Sequence, residues 1–315
     1  MVRILALLTA LAAVAPAADT TLLYLAMPDA KVVAGVDVVA LRNSPFGQFA
    51  LSKLADKEGS SFKEFVESTG FDPRRDLTEI LYASPGSGGA PKKQLFLARG
   101  TFDPLRLTAA ANKAGAQTSS YNGVDILAFG SKNSADHIEN ALAFLDGGLV
   151  VAGDLESVRA AISRRQAGGG LTGDLAAKAT TLGAANQIWF ASTLSFSDIA
   201  SHLPKGGAGG PAPAELFKSI QQASGGLKFE DTATVWVELV AQTAEDASSL
   251  SGAFQMLLGM AQMQQKPGTP PQLQQVLKAL TLNTAGNSVR LGLTLPEATL
   301  ESLIPPSGSN APKRP

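Results

Sequence analysis

The chain has 315 residues, with 26 lysines and arginines against 27 aspartates and glutamates, two histidines, no cysteine and a formal net charge of −1. A balance this even supplies no concentrated positive surface for phosphate, so a nucleic-acid partner is not expected. Without cysteine there is no disulfide framework, no thiol nucleophile, no Cys-based metal site and no lipid-modified N-terminal cysteine.

The N-terminus reads as an export signal: Arg3, an apolar run over 4–14, and Ala15-Pro16-Ala17 with small residues at the two recognition positions. Residues 1–17 are therefore expected to be a signal peptide cleaved after Ala17, which makes the protein periplasmic or secreted. The apolar run is about half the roughly 20 residues that a spanning helix needs. No later stretch is long and apolar enough, so the mature chain is expected to have no transmembrane segment. Cleavage removes Arg3 alone among the charges, taking 26 basic residues to 25 against 27 acidic ones.

After the signal, 31–39 alternates valine with small or polar residues and predicts a strand. Ser44-Pro45 opens a helix with Phe46, Phe49 and Leu54 on one side. Ser61 with Glu64 is a capping box ahead of Phe62, Phe65 and Val66. Gly70 stops that helix, and Phe71 is placed to fold back on Val66. Asp72-Pro73 restarts the chain with a capped turn, and Asp103-Pro104 repeats that grammar before a helix over 105–114 that ends at Gly115. Strands are predicted over 79–83 and 94–99, on either side of a glycine-rich loop at 85–91, and over 124–129, 141–145 and 149–152. Asp154 caps a helix with Leu155, Val158 and Ile162 at helical spacing.

The low-complexity stretch 166–186 reads as a Gly-rich linker. Beyond it come a strand over 188–194, a short helix over 197–203, a Gly/Pro/Ala loop over 205–213, and a helix over 216–223 ended by Gly225-Gly226 in the role of Gly70. A strand follows at 235–240, then a long helix opened by Thr243 and Asp246 and running to about Gln264. A helix over 273–280, a strand over 289–293 and a last helix capped by Thr294 with Glu297 complete the pattern. The division is thus 1–17 signal peptide, 18–165 N-terminal lobe, 166–186 linker, 187–305 C-terminal lobe and 306–315 disordered tail. Helices alternating with closely connected strands predict an α+β fold: two lobes of mixed or antiparallel sheet, each with helices packed on one face. The loosely repeated order of elements allows an internal duplication.

The segments Thr69-Gly70-Phe71-Asp72-Pro73-Arg74-Arg75-Asp76-Leu77, Asp29-Ala30-Lys31-Val32-Val33 and Asn43-Ser44-Pro45-Phe46-Gly47, downstream of a signal peptide, resemble a group of uncharacterised exported bacterial proteins with repeated α+β lobes. The resemblance covers mainly the first half and implies a bacterial extracytoplasmic setting. It carries no catalytic residues.

Catalytic patterns are present only in fragments. Gly168-Gly169-Gly170-Leu171-Thr172-Gly173 has dinucleotide-type glycine spacing, but a helix precedes it and no acidic residue follows over 187–196, so the context for a pyrophosphate is missing. Ser60-Ser61-Phe62-Lys63 fits the Ser-x-x-Lys of penicillin-binding proteins and β-lactamases, and Ser131-Lys132-Asn133 imitates their second motif, but the Lys-Ser/Thr-Gly element is absent. His137 and His202 are far apart, short of the converging ligands of a transition-metal site. Asp72 and Asp76 stand one turn apart around Arg74 and Arg75, a pattern for a local ion-pair cluster more than for acid/base work or a calcium loop. We therefore assign no catalytic, cofactor-binding or metal residue and expect no cofactor.

The long helix is apolar around much of its circumference, with Phe254, Leu257 and Leu258 beside Met256, Met260 and Met263. Burial is the ordinary reason for such a helix, and over 253–264 burial is the expectation, with a protein or lipid docking surface as the alternative. The functional expectation is an exported, soluble, non-catalytic binding or interaction module of the bacterial envelope, its partner an unknown protein or a small apolar ligand. Two alternatives are a serine-lysine or carboxylate-dependent hydrolase and a carrier of apolar cargo.

Overall fold

The computed structural model describes residues 20–55, 60–86, 93–130, 140–195, 218–263 and 271–303. Its first half runs α1 (Thr20–Leu25), β1 (Val32–Asp37), α2 (Val38–Asn43), α3 (Pro45–Ala55), α4 (Ser60–Thr69), α5 (Pro73–Asp76), β2 (Leu77–Ser84), β3 (Leu95–Gly100) and α6 (Pro104–Lys113). A meander follows, β4 (Gln117–Tyr121), β5 (Val124–Phe129), β6 (Asn140–Asp146) and β7 (Leu149–Asp154), then α7 (Leu155–Ala167) and α8 (Gly173–Ala185). The remainder is β8 (Ile188–Ser192), β9 (Ile220–Phe229), β10 (Thr232–Ala241), α9 (Ala244–Met263), α10 (Pro271–Ala279), β11 (Leu280–Ala285), β12 (Ser288–Pro296) and α11 (Glu297–Leu303).

The α+β architecture expected from the sequence is observed, with every strand pairing antiparallel. The described strands form one twelve-stranded sheet in the order β11-β12-β10-β9-β8-β1-β2-β3-β7-β6-β5-β4. The seam between the two expected lobes is β1, which pairs with β2 on one side and β8 on the other, so the sheet continues unbroken from one half into the other.

One cross-sheet row explains how the sheet is filled. Following the register outward from Gly35, Leu81, Leu97, Val151, Ala143 and Ile126 stand in line on one side. On the other stand Trp189, Gly226, Trp236 and Gly292. Glycine alternates with tryptophan there, and each glycine's missing side chain leaves room for a neighbour: the Trp189 indole at Gly35, Asn186 at Gly226 and the Thr281 hydroxyl at Gly292. Gly225 and Gly226 thus belong to the middle of β9, and the helix expected to end on them is corrected to a strand where it is described. The matching of this glycine pair to Gly70 falls with it.

The face carrying that row holds the main core, with Leu22, Leu81, Leu97, Val151, Val158 and Ile162 all at 0–1% exposure. Three helices cover it. Helix α1, which the sequence reading had left without structure, buries Leu22, Leu23 and Leu25, and Arg164 Nε of α7 donates to the Leu25 carbonyl at 2.9 Å. Helix α8 lies inside the stretch read as a linker. Its Ala179 and Leu182 are buried, as is Leu171 just ahead of it. The glycines around 168–173 had disguised a helix whose apolar residues keep helical spacing. Gly170 packs so closely on the Tyr24 backbone that no Cβ fits.

Helices occupy both faces of the sheet, a correction to the one-face expectation. On the second face α9 buries Ala247, Leu250 and Ser251, and Leu250 joins a smaller core with Ile220, Ala241 and Val289. The rest of α9 corrects the expectation of burial over 253–264. Met256 is 58% exposed, Leu257 46%, Met260 37% and Met263 81%.

Most cap grammar is observed. Asp72, Asp103 and Asp154 accept the backbone N–H of Arg74, Arg106 and Ser157 at 2.9–3.1 Å. Gly70 has the left-handed φ of 73°, and Thr243 caps α9 through Asp246 N at 3.1 Å. Three details differ. Helix α4 already contains Ser60, so Ser61 stands within its first turn instead of capping it. Phe71 meets Phe65 edge-on at 6.4 Å. Strand β12 runs on to Pro296, so Thr294 caps nothing and instead meets the Thr234 hydroxyl at 3.3 Å.

Candidate functional site: an apolar pocket beneath α2 and α3

The second face carries an apolar pocket where β1 gives way to two short helices. Asp37 ends the strand and accepts the Ala40 N–H at 2.8 Å, capping α2. Ser44 makes the corner into α3, as its Ser-Pro sequence predicts: its hydroxyl donates to the Leu41 carbonyl at 2.7 Å and accepts the Gly47 N–H at 3.0 Å. Gly47 is required because a Cβ there would overlap the Leu41 carbonyl. The start of α3 is held from the far end of the chain, where Glu297 Oε1 of α11 accepts the Phe46 N–H at 3.3 Å.

Between this corner and the sheet lies a cavity of about 230 Å³. Val38 and Leu41 of α2 and Phe46, Ala50 and Leu51 of α3 form its roof, and Ile188 of β8 with Leu227 and Phe229 of β9 forms its floor. Ile188 and Leu227 are register partners, so the floor is continuous. One wall is fixed by Phe46 stacked on Phe229, with ring centroids 4.5 Å apart and planes 13° from parallel. An apolar cavity of roughly 150 Å³ takes up benzene, whereas drug-sized ligands occupy roughly 300–1,000 Å³. The pocket lies between those sizes, with room for a small aromatic molecule or one aliphatic chain segment and not for a multi-chain lipid.

Arg42 and Arg74 complete the lining, and both belong to a cluster built by Asp72-Pro73-Arg74-Arg75-Asp76. Arg74 chelates Asp72 through Nε at 2.9 Å and Nη2 at 2.6 Å, and its guanidinium carbon stands 4.9 Å from the centroid of the Phe62 ring. Arg75 chelates Asp76 with two contacts of 2.7 Å. Those hydrogen bonds hold the Asp76 carboxyl below its ordinary value, against a smaller opposing effect of burial, with the Asp72 N–H and the charges of Arg75 and Arg42 adding to the depression. Arg42 Nη1 donates to the carbonyls of Arg74 at 2.7 Å and Arg75 at 2.8 Å. Three guanidinium groups thus face two carboxylates, each claimed by its own arginine.

The sequence motifs weighed for chemistry do not converge here. Lys63 is exposed on α4, and Ser60 begins the same helix. Ser131, Lys132, Asn133, His137 and His202 lie outside the described residues. Gly168 and Gly169 take left-handed φ values of 77° and 92° in the corner between α7 and α8, a helix-to-helix connection without the strand that a dinucleotide site needs. Asp72 and Asp76 form the ion-pair cluster that their spacing predicts. Among the described residues, no three His, Asp or Glu side chains gather as metal ligands, and no helix is long and apolar enough to cross a membrane. The pocket as a whole has no local signature in the sequence, since α2 and α3 meet Ile188, Leu227 and Phe229, which are far away along the chain. The available signal was Phe46 in the Ser44-Pro45 corner.

The fold defines a class: an α+β protein on a single large antiparallel sheet. Among solved structures, crystal form IV of TP0453 is similar, with a TM-score of 0.51 over 89% of this chain and 95% of that one at 11% sequence identity. At that identity the likeness concerns the fold alone. No protein-family model matches the chain, and no curated protein matches it in sequence.

Proposed function

We propose that this chain is an exported, non-catalytic binding module of the bacterial envelope that receives an apolar moiety in the pocket beneath α2 and α3. The observation that carries the reading is the pocket itself: eight apolar or aromatic side chains around about 230 Å³, closed on one side by a stacked aromatic pair. Apolar-lined concave surface of this kind favours an apolar guest. Export is supported by Arg3, the apolar run and Ala15-Pro16-Ala17, and the bacterial setting by the resemblance of the segments around Thr69–Leu77.

Titration of the purified full chain with N-phenyl-1-naphthylamine, a neutral apolar fluorophore, tests the pocket. Saturable binding that is lost in Ala50→Trp, which fills the cavity from α3, is expected. Absence of saturable binding, or binding indifferent to Ala50→Trp, overturns the reading. Fractionation tests export: the expected product is extracytoplasmic with Ala18 at its N-terminus, and an uncleaved cytoplasmic chain overturns that part.

A further inference from the structure

We propose that the guest is a single-chain amphiphile with a carboxylate head, its tail in the pocket beneath α2 and α3 and its head on the Arg42 guanidinium. This deepens the pocket reading above and rests on it. The pocket volume admits one aliphatic segment, and among its lining residues Arg42 and Arg74 alone carry a charge. Arg74 is engaged with Asp72, whereas Arg42 bonds only backbone carbonyls among the described residues, so an anionic head would give its charge a counter-ion.

The charge arrangement singles out Arg42. Asp72 is chelated by Arg74 and Asp76 by Arg75, so among these five side chains, Arg42 included, one positive charge is in surplus. Arg42 is that surplus: it has no carboxylate partner among the described residues, and its charge reaches Asp76 only through space. The acidic groups on adjoining elements are also engaged, Asp37 on the Ala40 amide and Glu297 on the Phe46 amide. Two backbone carbonyls anchor Arg42 through Nη1 alone. That fixes the plane of the guanidinium, and among the described residues nothing bonds Nε and Nη2, the edge whose two parallel N–H groups match a carboxylate. A guanidinium already oriented by the protein gives up little freedom when the anion arrives.

The test is competition against N-phenyl-1-naphthylamine bound to the unaltered full chain, with octanoate, 1-octanol and octylamine as displacers at neutral pH and low salt. Octanoate is expected to displace the fluorophore at roughly tenfold lower concentration than octanol, the ratio that one charge-assisted bond supports, and octylamine to be no better than octanol. Arg42→Met, which keeps the aliphatic stem, is expected to level octanoate with octanol. Because Arg42 also ties α2 to α5, the ranking on the unaltered protein decides the matter if that variant does not fold. Equal displacement by octanoate and octanol, or a preference for octanoate that survives in Arg42→Met, overturns the carboxylate head and leaves the pocket standing. Failure of every chain to compete overturns the pocket as well.

Discussion

The indole of Trp189 occupies the space in which a side chain at Gly35 would stand, for a Cβ there would come within 2.5 Å of the ring. The two residues are register partners on β8 and β1, the junction between the two halves of the sheet, and Trp189 is buried. Gly35→Ala is therefore expected to overpack the seam and cost about 1–3 kcal/mol in urea denaturation. The same change made in a Trp189→Leu background should cost less. Equal costs in both backgrounds would show that the two residues do not compete for space.

The pocket wall makes a second prediction. Phe46 and Phe229 stack across a helix and a strand that are far apart in sequence. A double-mutant cycle with Phe46→Leu and Phe229→Leu should return a coupling of about 0.5–1.5 kcal/mol. Because the pair walls the cavity, either single change should also weaken fluorophore binding; additive stabilities with intact binding would contradict the geometry.

Asp76 links stability to pH. Its carboxyl titrates below the ordinary value of 3.8 in the folded state because Arg75 hydrogen-bonds the charged form. A depressed folded value contributes stability that is present above about pH 4 and is lost as the pH falls through the folded value. Asp76→Asn is accordingly expected to destabilise by about 1 kcal/mol or less at pH 7, the ordinary worth of a partly exposed pair. The gap from the unaltered protein should close in acid. Thermal denaturation between pH 3 and 7 measures it, and a constant gap across that range would count against the linkage.

Leu22 in α1 is fully buried, whereas Met263 at the end of α9 is 81% exposed. Leu22→Ala should cost about 2–5 kcal/mol through lost transfer energy and a residual cavity. Met263→Gln should stay within about 0.5 kcal/mol. Chemical denaturation of the two variants side by side checks whether α1 belongs to the core and the tip of α9 to the surface.

Local rules carried the reading of single elements far. Asp-Pro starts and Asp154 predicted three caps that the structure shows, because a cap involves only neighbouring backbone groups. Valine alternation placed β1, and short apolar runs placed β2, β3, β5, β6, β7, β8, β10 and β12. One further hairpin was legible but unread: Asn122-Gly123, with φ of 50° and 77°, is the pair that a tight turn between β4 and β5 demands. The errors came where glycine has two meanings. Gly225-Gly226 resembles a helix stop, yet it serves as the bare track on which Phe190, Asn186 and Trp236 settle. The methionine side of α9 reads as core by composition, but burial depends on what lies opposite, and among the described residues Met256, Leu257, Met260 and Met263 stay exposed.

By itself the sequence determined the α+β class, the turn and cap grammar and the strand positions, all of which follow from interactions within a few residues along the chain. Only the tertiary structure decided that the two halves share one sheet through β1, that helices cover both faces, and that α2 and α3 lie over Ile188, Leu227 and Phe229 to form an apolar hollow lined in part by Arg42. Those relationships depend on strand order and on the matching of large and small side chains across the sheet, which no local periodicity records.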